Sequence, residues 1–234
     1  MTYTVIARCE NSGTFGIAIA TYSIAVGGYC PFFSRDVAML STQASVNASL
    51  GPLAIDSLVA GRSPSQTLMD LASSDPGFDY RQVGIIDCYG KVGMHTGSSC
   101  HNWAGHEIGK SFAVFGNVLA SAVTVEAMAE KFEQVKNTNL ADRLILTLEA
   151  GRDAGGQASP DGVHLNERSA ALSIKGADIV NDIDLRVDMH EDAVTELRRV
   201  YDGYVPYLEY YELRARAPEK AAPQYAWVKE RFNK

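Results

Sequence analysis

The chain is short of cysteine, of basic charge and of unbroken apolar runs, and each shortage closes off a class of protein. Its four cysteines in 234 residues, Cys9, Cys30, Cys88 and Cys100, form no C-x-x-C pair. A chain of this size needs no disulfide staples, so unpaired thiols are expected. Its 21 Lys and Arg against 28 Asp and Glu leave a net charge of -7. Without a basic excess there is no footprint for a phosphate backbone, and no nucleic-acid partner is expected. The uncharged window 15–33 has the length of a membrane span, but Gly27, Gly28 and Pro31 interrupt it. A strand followed by a loop explains it better, so no membrane partner is expected. The first residues show neither a basic segment nor a small-residue cleavage site, and a cytoplasmic protein is expected.

Low-complexity tracts, internal repeats and polar linkers are also missing. At 46% hydrophobic residues, the chain reads as one domain over 1–234, with a C-terminal helical extension at about 192–234. Two β-rich runs, 3–8 and 15–21, flank the turn residues Asn11-Ser12-Gly13 and predict a hairpin. A third strand over 37–43 ends in Thr42-Gln43, with Asn47 close behind. Helices are predicted from Leu50 and from the Ser63 cap, then a hairpin over 81–96 around Tyr89-Gly90. After a strand over 111–115 come two more helices, the second capped by Asn139. Strands over 169–174 and 184–189 follow, then an amphipathic helix from Asp192 that Pro206 must kink or split. Sheets served by helix pairs rather than single crossovers point to a layered α+β sandwich. Tyr201, Tyr204, Tyr207, Tyr210 and Tyr211 indicate aromatic packing at a core or at a subunit interface, and a homodimer is expected.

Reactive side chains concentrate in 93–109, which holds three of the five histidines, His95, His101 and His106, together with Cys100. Its glycines allow the backbone to double back and bring side chains to one point. Neutral imidazole, thiolate and carboxylate are zinc ligands, and His95, Cys100, His106 and His190 make the expected metal set, with Asp188 beside them. Asp188 and His190 alternate along a predicted strand and should share a face. Gly116-Asn117 is read either as an oxyanion site or as a strand-ending turn. Arg8 and Arg186 lie in strands, where they either bind a substrate carboxylate or pair structurally with Asp188. Thr2 is the rival nucleophile: with Met1 removed, its free α-amine would serve as base for its own hydroxyl.

The sequence resembles a bacterial family catalogued as domain of unknown function 1028. The resemblance rests on Thr4-Val5-Ile6-Ala7-Arg8, Ala25-Val26-Gly27, Thr42-Gln43 with Asn47, Gly51-Pro52, Arg81-Gln82, Thr96-Gly97 with Trp103-Ala104-Gly105-His106, Gly116-Asn117, Arg168-Ser169-Ala170-Ala171 and Asp184-Leu185-Arg186-Val187-Asp188 with His190. Phe115, Cys9 and Met189 depart from the family's usual Gln, Asp, and Asp or Trp. The resemblance implies a four-layer αββα sandwich of N-terminal-nucleophile (Ntn) hydrolase type, without the general self-processing architecture of true Ntn enzymes. It also implies an amidohydrolase with zinc as cofactor. The combined expectation is a zinc-dependent hydrolase of a small amide or peptide-like molecule. His95, Asn117 and Asp188 would be catalytic, and Arg8, Thr42, Gln43 and Asn47 would bind substrate. The alternatives are a non-catalytic small-ligand binding or accessory protein, and a Thr2 amidohydrolase.

Overall fold

Two antiparallel sheets lie face to face between layers of helix in the computed structural model, which describes residues 1–101 and 103–232. Its strands are β1 (Thr2–Arg8), β2 (Phe15–Thr21), β3 (Pro31–Ser34), β4 (Ala38–Ala44), β5 (Arg81–Asp87), β6 (Val92–Thr96), β7 (Gly105–Gly109), β8 (Phe112–Asn117), β9 (Gln157–Ala158), β10 (His164–Leu165), β11 (Ser169–Lys175) and β12 (Ile183–Val187). The helices are α1 (Leu50–Val59), α2 (Pro64–Ser74), α3 (Val123–Gln134), α4 (Leu140–Asp153), α5 (Ala193–Tyr204), α6 (Leu208–Arg216) and α7 (Gln224–Phe232). Six strands form one sheet in the order β12-β11-β2-β1-β8-β7, four form the other in the order β3-β4-β5-β6, and β9 and β10 make a small separate hairpin.

The period-2 alternation of the strands separates three apolar layers. Tyr3, Val5 and Ala7 of β1 pack with Val125, Leu144, Leu148 and Leu197 of α3, α4 and α5. Leu40, Val83 and Ile85 pack beneath Leu50, Ala54 and Leu71 of α1 and α2. Between the sheets lie Ile6, Ile17, Met39, Ile86, Ala113 and Phe115. The order is therefore αββα, the four-layer sandwich expected from the sequence. All four cysteines are free thiols. Among the described residues, no helix is long and apolar enough to cross a membrane.

Two strands of the face-to-face sheets went unrecognised in the sequence, as did the short hairpin of β9 and β10. β3 begins at Pro31, at the sheet edge where a missing N–H does no harm, and its Phe32 and Phe33 merge with the uncharged window before it. β7, read as part of a glycine-rich loop, is an edge of the larger sheet. The predicted strand over 184–189 is shorter, ending at Val187. Pro206 splits the predicted C-terminal helix: α5 stops at Tyr204, one 3-10 turn covers Val205–Tyr207, and α6 resumes at Leu208.

Antiparallel register gathers one set of strand ends. Thr2 pairs with Asn117, Gln82 with both Gln43 and Thr96, and Ser169 with Thr21. Arg8 pairs with Phe15 at the opposite end of the sandwich.

Candidate active site

Thr2 starts β1, one of the two central strands of the larger sheet, and alternation turns it, with Thr4 and Ile6, towards the smaller sheet. Asn117 is its partner on β8 and lies on the same face as Ala113 and Phe115. Beneath them is a buried amide network whose orientation is fixed from one end. Gln82 Nε2 faces the carbonyls of Gly105 at 3.1 Å and Gly116 at 2.8 Å, which can only accept, and also Thr96 Oγ1 at 3.0 Å. Gln82 Oε1 therefore accepts from Gln43 Nε2 at 2.9 Å and Asn117 Nδ2 at 3.0 Å. Gln43 Oε1 accepts from Thr4 Oγ1 at 2.7 Å. With its nitrogen committed, Asn117 presents Oδ1 to the Met1 amine, 2.7 Å away.

That amine is largely buried beside Asn117. Burial is the main reason its pKa falls from 8.0 to about 6, with the nearby Cys30 and Cys100 acting in the other direction. The Thr2 and Thr21 hydroxyls both donate to the Met1 carbonyl, and Thr21 Oγ1 is 3.2 Å from Thr2 Oγ1. Beyond Met1 opens a cleft of about 660 Å³, lined by His101, Trp103, Leu119, Ala158 and Pro160. Val118, also on its wall, has φ 55, a left-handed conformation rare for a β-branched residue. Backbone of this kind concentrates where a site is held in place by its surroundings.

A sequence model for a family of unknown function, DUF1028, matches residues 2–197. The chain belongs to the DUF1028 family. A crystal structure of the DUF1028 protein SPO2555 from Silicibacter pomeroyi is 26% identical, covering 87% of this chain and 86% of that one, with a TM-score of 0.79. Anbu (ancestral beta-subunit) from Yersinia bercovieri is 12% identical, with coverages of 88% and 96% and a TM-score of 0.41. The Anbu (Gly-1) mutant from Hyphomicrobium sp. strain MC1 is 11% identical, with coverages of 88% and 95% and a TM-score of 0.43. Likenesses as loose as these last two carry no argument about chemistry. No curated protein matches the sequence.

The zinc set expected in this DUF1028 chain is not assembled. β12 and β7 are opposite edges of the larger sheet. Five strand spacings of ~4.8 Å put the end of β12, and His190 beyond it, about 24 Å from His106. His190 Nδ1 instead accepts from the Asp192 N–H at 3.0 Å. His95 lies on the α2 side of β6, stacked on Phe78 with ring centres 4.0 Å apart, its Nε2 3.0 Å from the Phe78 carbonyl. His106 Nδ1 is 2.9 Å from Thr96 Oγ1, and burial, then the neighbouring His95, lowers its pKa. The Cys100 thiol donates to the Arg81 carbonyl at 3.4 Å. Among the described residues, no group of three or more His, Cys, Asp and Glu side chains stands where it could hold a metal ion. Among the described residues, the side chains expected as ligands therefore do not form a zinc site.

The remaining expected residues are dispersed. Asp188 lies past the end of β12 and receives the Arg186 guanidinium at 2.8 Å. Arg8 is at the far end of β1 from Thr2. Thr42 shares the face of Ala38 and Leu40 towards α1 and α2, and its Oγ1 is buried without a partner among the described residues. Gln43 is fully buried in the network. Asn47 is in the loop before α1, its Oδ1 accepting from Ser49 N at 3.2 Å. Only Asn117, of the residues expected to be catalytic, reaches the Met1–Thr2 region. The sequence reading gave no role to Thr21, Gln82 or Trp103. A glutamine in register with Gly84 and Ile86 on a buried strand was the available signal for Gln82.

Proposed function

We propose that this protein is an N-terminal-nucleophile hydrolase of small amides bearing an apolar group, with Thr2 as nucleophile once Met1 is removed. The observation that carries this reading is the buried Met1 amine, held by Asn117 next to Thr2 at the start of β1 and facing a cleft. Hydrolysis of the Met1–Thr2 bond frees both hydroxyls from the Met1 carbonyl and gives Thr2 its own α-amine. Surroundings that lower the pKa of the Met1 amine to about 6 favour a neutral, proton-accepting amine at pH 7.

In the reaction, Thr2 Oγ1 attacks the amide carbonyl carbon while its proton passes to the α-amine. The tetrahedral adduct expels the amine product, which takes that proton, and an ester to Thr2 remains. Water then attacks the ester with the α-amine again as base, releasing the acid. Trp103, Val118, Leu119 and Pro160 give the cleft an apolar wall suited to an aliphatic or aromatic substituent.

The test is intact-mass measurement of untagged protein beside turnover of N-acyl anilides of increasing acyl length. Loss of Met1 is expected, with turnover abolished in Thr2→Ala and kept within about tenfold in Thr2→Ser. Full turnover by Thr2→Ala, or by protein retaining Met1, would sink the reading. One observation favours a non-catalytic ligand-binding protein: while Met1 is present, its carbonyl occupies both hydroxyls. Binding of the anilides without turnover by Met1-free protein would establish that alternative.

A further inference from the structure

Six residues along β1 from Thr2, about 20 Å at ~3.3 Å per residue, Arg8 borders a second cavity of about 430 Å³. Arg143 enters it from α4, with its guanidinium carbon 3.5 Å from the Phe132 ring centre and its Nε donating to the Phe132 carbonyl at 2.7 Å. Lys136 reaches it from the connection between α3 and α4, and Lys110 from the turn between β7 and β8. Several of the other arginines of this acidic chain meet carboxylates: Arg35 pairs with Asp182, Arg81 with Asp75 and Arg198 with Glu149. Arg8 and Arg143 enter no ion pair among the described residues. The Arg8 Nε is shut off from solvent with no partner among them. A guanidinium left in this state costs free energy that a bound anion would recover.

Charge selects the anion. The cavity's four cationic side chains face two carboxylates, Glu10 and Glu133, and Lys110 holds Glu10 at 2.9 Å. A surplus of two positive charges remains, more than a monocarboxylate neutralises. A phosphate monoester carries roughly -1.5 to -2 at pH 7 and three acceptor oxygens, and planar guanidinium forks suit such oxygens. We propose that this cavity binds a small phosphate monoester at a site separate from the Thr2 cleft.

Thermal unfolding of the untagged protein tests this in phenyl phosphate, inorganic phosphate, succinate and sodium chloride at matched ionic strength. Phenyl phosphate is expected to raise Tm by about 5 °C at a hundredfold excess over Kd, with inorganic phosphate acting in the same direction and chloride without effect. Arg143→Gln should weaken binding at least tenfold. Because Arg143 also stacks on Phe132, the exposed Lys136→Gln is the second variant, expected to weaken binding several-fold with an unchanged ligand-free Tm. Arg168→Gln, outside the cavity, should bind as the parent does. Equal Tm values in phenyl phosphate and chloride, equal responses from parent and both cavity variants, or a response confined to succinate or to inorganic phosphate would each overturn the proposal.

Discussion

Thr2 and Thr4 lie two positions apart on one face of one strand, yet their neighbours set them different tasks. Thr4 is locked into the amide network by Gln43, whereas Thr2 holds only Met1 and Thr21. Gln82 keeps that difference in place. Gln82→Leu would leave the Gly105 and Gly116 carbonyls, Gln43 Nε2 and Asn117 Nδ2 without their partner, and should cost about 2–5 kcal/mol, measured by urea unfolding. The Met1 amine gives a pH signature in protein that retains Met1. Its pKa is about 6 folded against 8.0 as the ordinary value. Between these values the unfolded chain binds more protons, so stability rises from pH 6 to 8, by about 2–3 kcal/mol from this group, and is lost as pH falls back through 6. Chemical denaturation at both values should show this increment, and N-terminal acetylation should abolish it. At this scale the sequence revealed which residue types mattered but not how they were turned. His95 was legible as a reactive side chain, but its position on the α2 face follows from strand parity that no spacing disclosed. Asn117 was legible as a polar strand end, but its use as an acceptor depends on Gln82 at a distance of 35 residues in sequence.

At the scale of elements, local chemistry made the helices and hairpins readable. Ser63 forms the expected cap on α2, its Oγ accepting from Gln66 N at 3.3 Å, and Asn139 caps α4 by accepting from Asp142 N at 2.9 Å. The segment after β6 was harder because its outcome depends on two sheets at once. It leaves the edge of the smaller sheet and returns as β7 on the edge of the larger one, so Thr96 and His106 meet across the join. Gly97 permits the crossing: a Cβ there would lie 2.1 Å from the Asp79 carbonyl oxygen, which is backbone and cannot swing aside. Gly97→Ala should therefore cost at least about 2 kcal/mol. It should also raise hydrogen exchange in β7 ahead of the rest of the larger sheet. Glycine content identified a turning segment, but the destination of the turn was tertiary information.

For the whole molecule, the layer order was readable because helix pairs alternate with strand groups along the chain. The tyrosines were ambiguous between core and interface, and the structure divides them. Tyr201 joins the large core under α5, while Tyr207 and Tyr210 pack against Trp227 of α7, with ring centres 5.0 and 4.6 Å apart. The family match ends at residue 197, before α6 and α7. Trp227→Ala should accordingly release α7 to limited proteolysis while the sandwich keeps its fold, with a fall in Tm of a few degrees at most. The two chain ends then differ in what they tolerate. α7 contains no buried residue, whereas the first amine is enclosed beside Asn117. An affinity tag at the carboxyl end should be harmless, while the same tag at the amino end would have to thread out through the cleft and, on the proposed Thr2 mechanism, block removal of Met1 and yield a folded but inert protein.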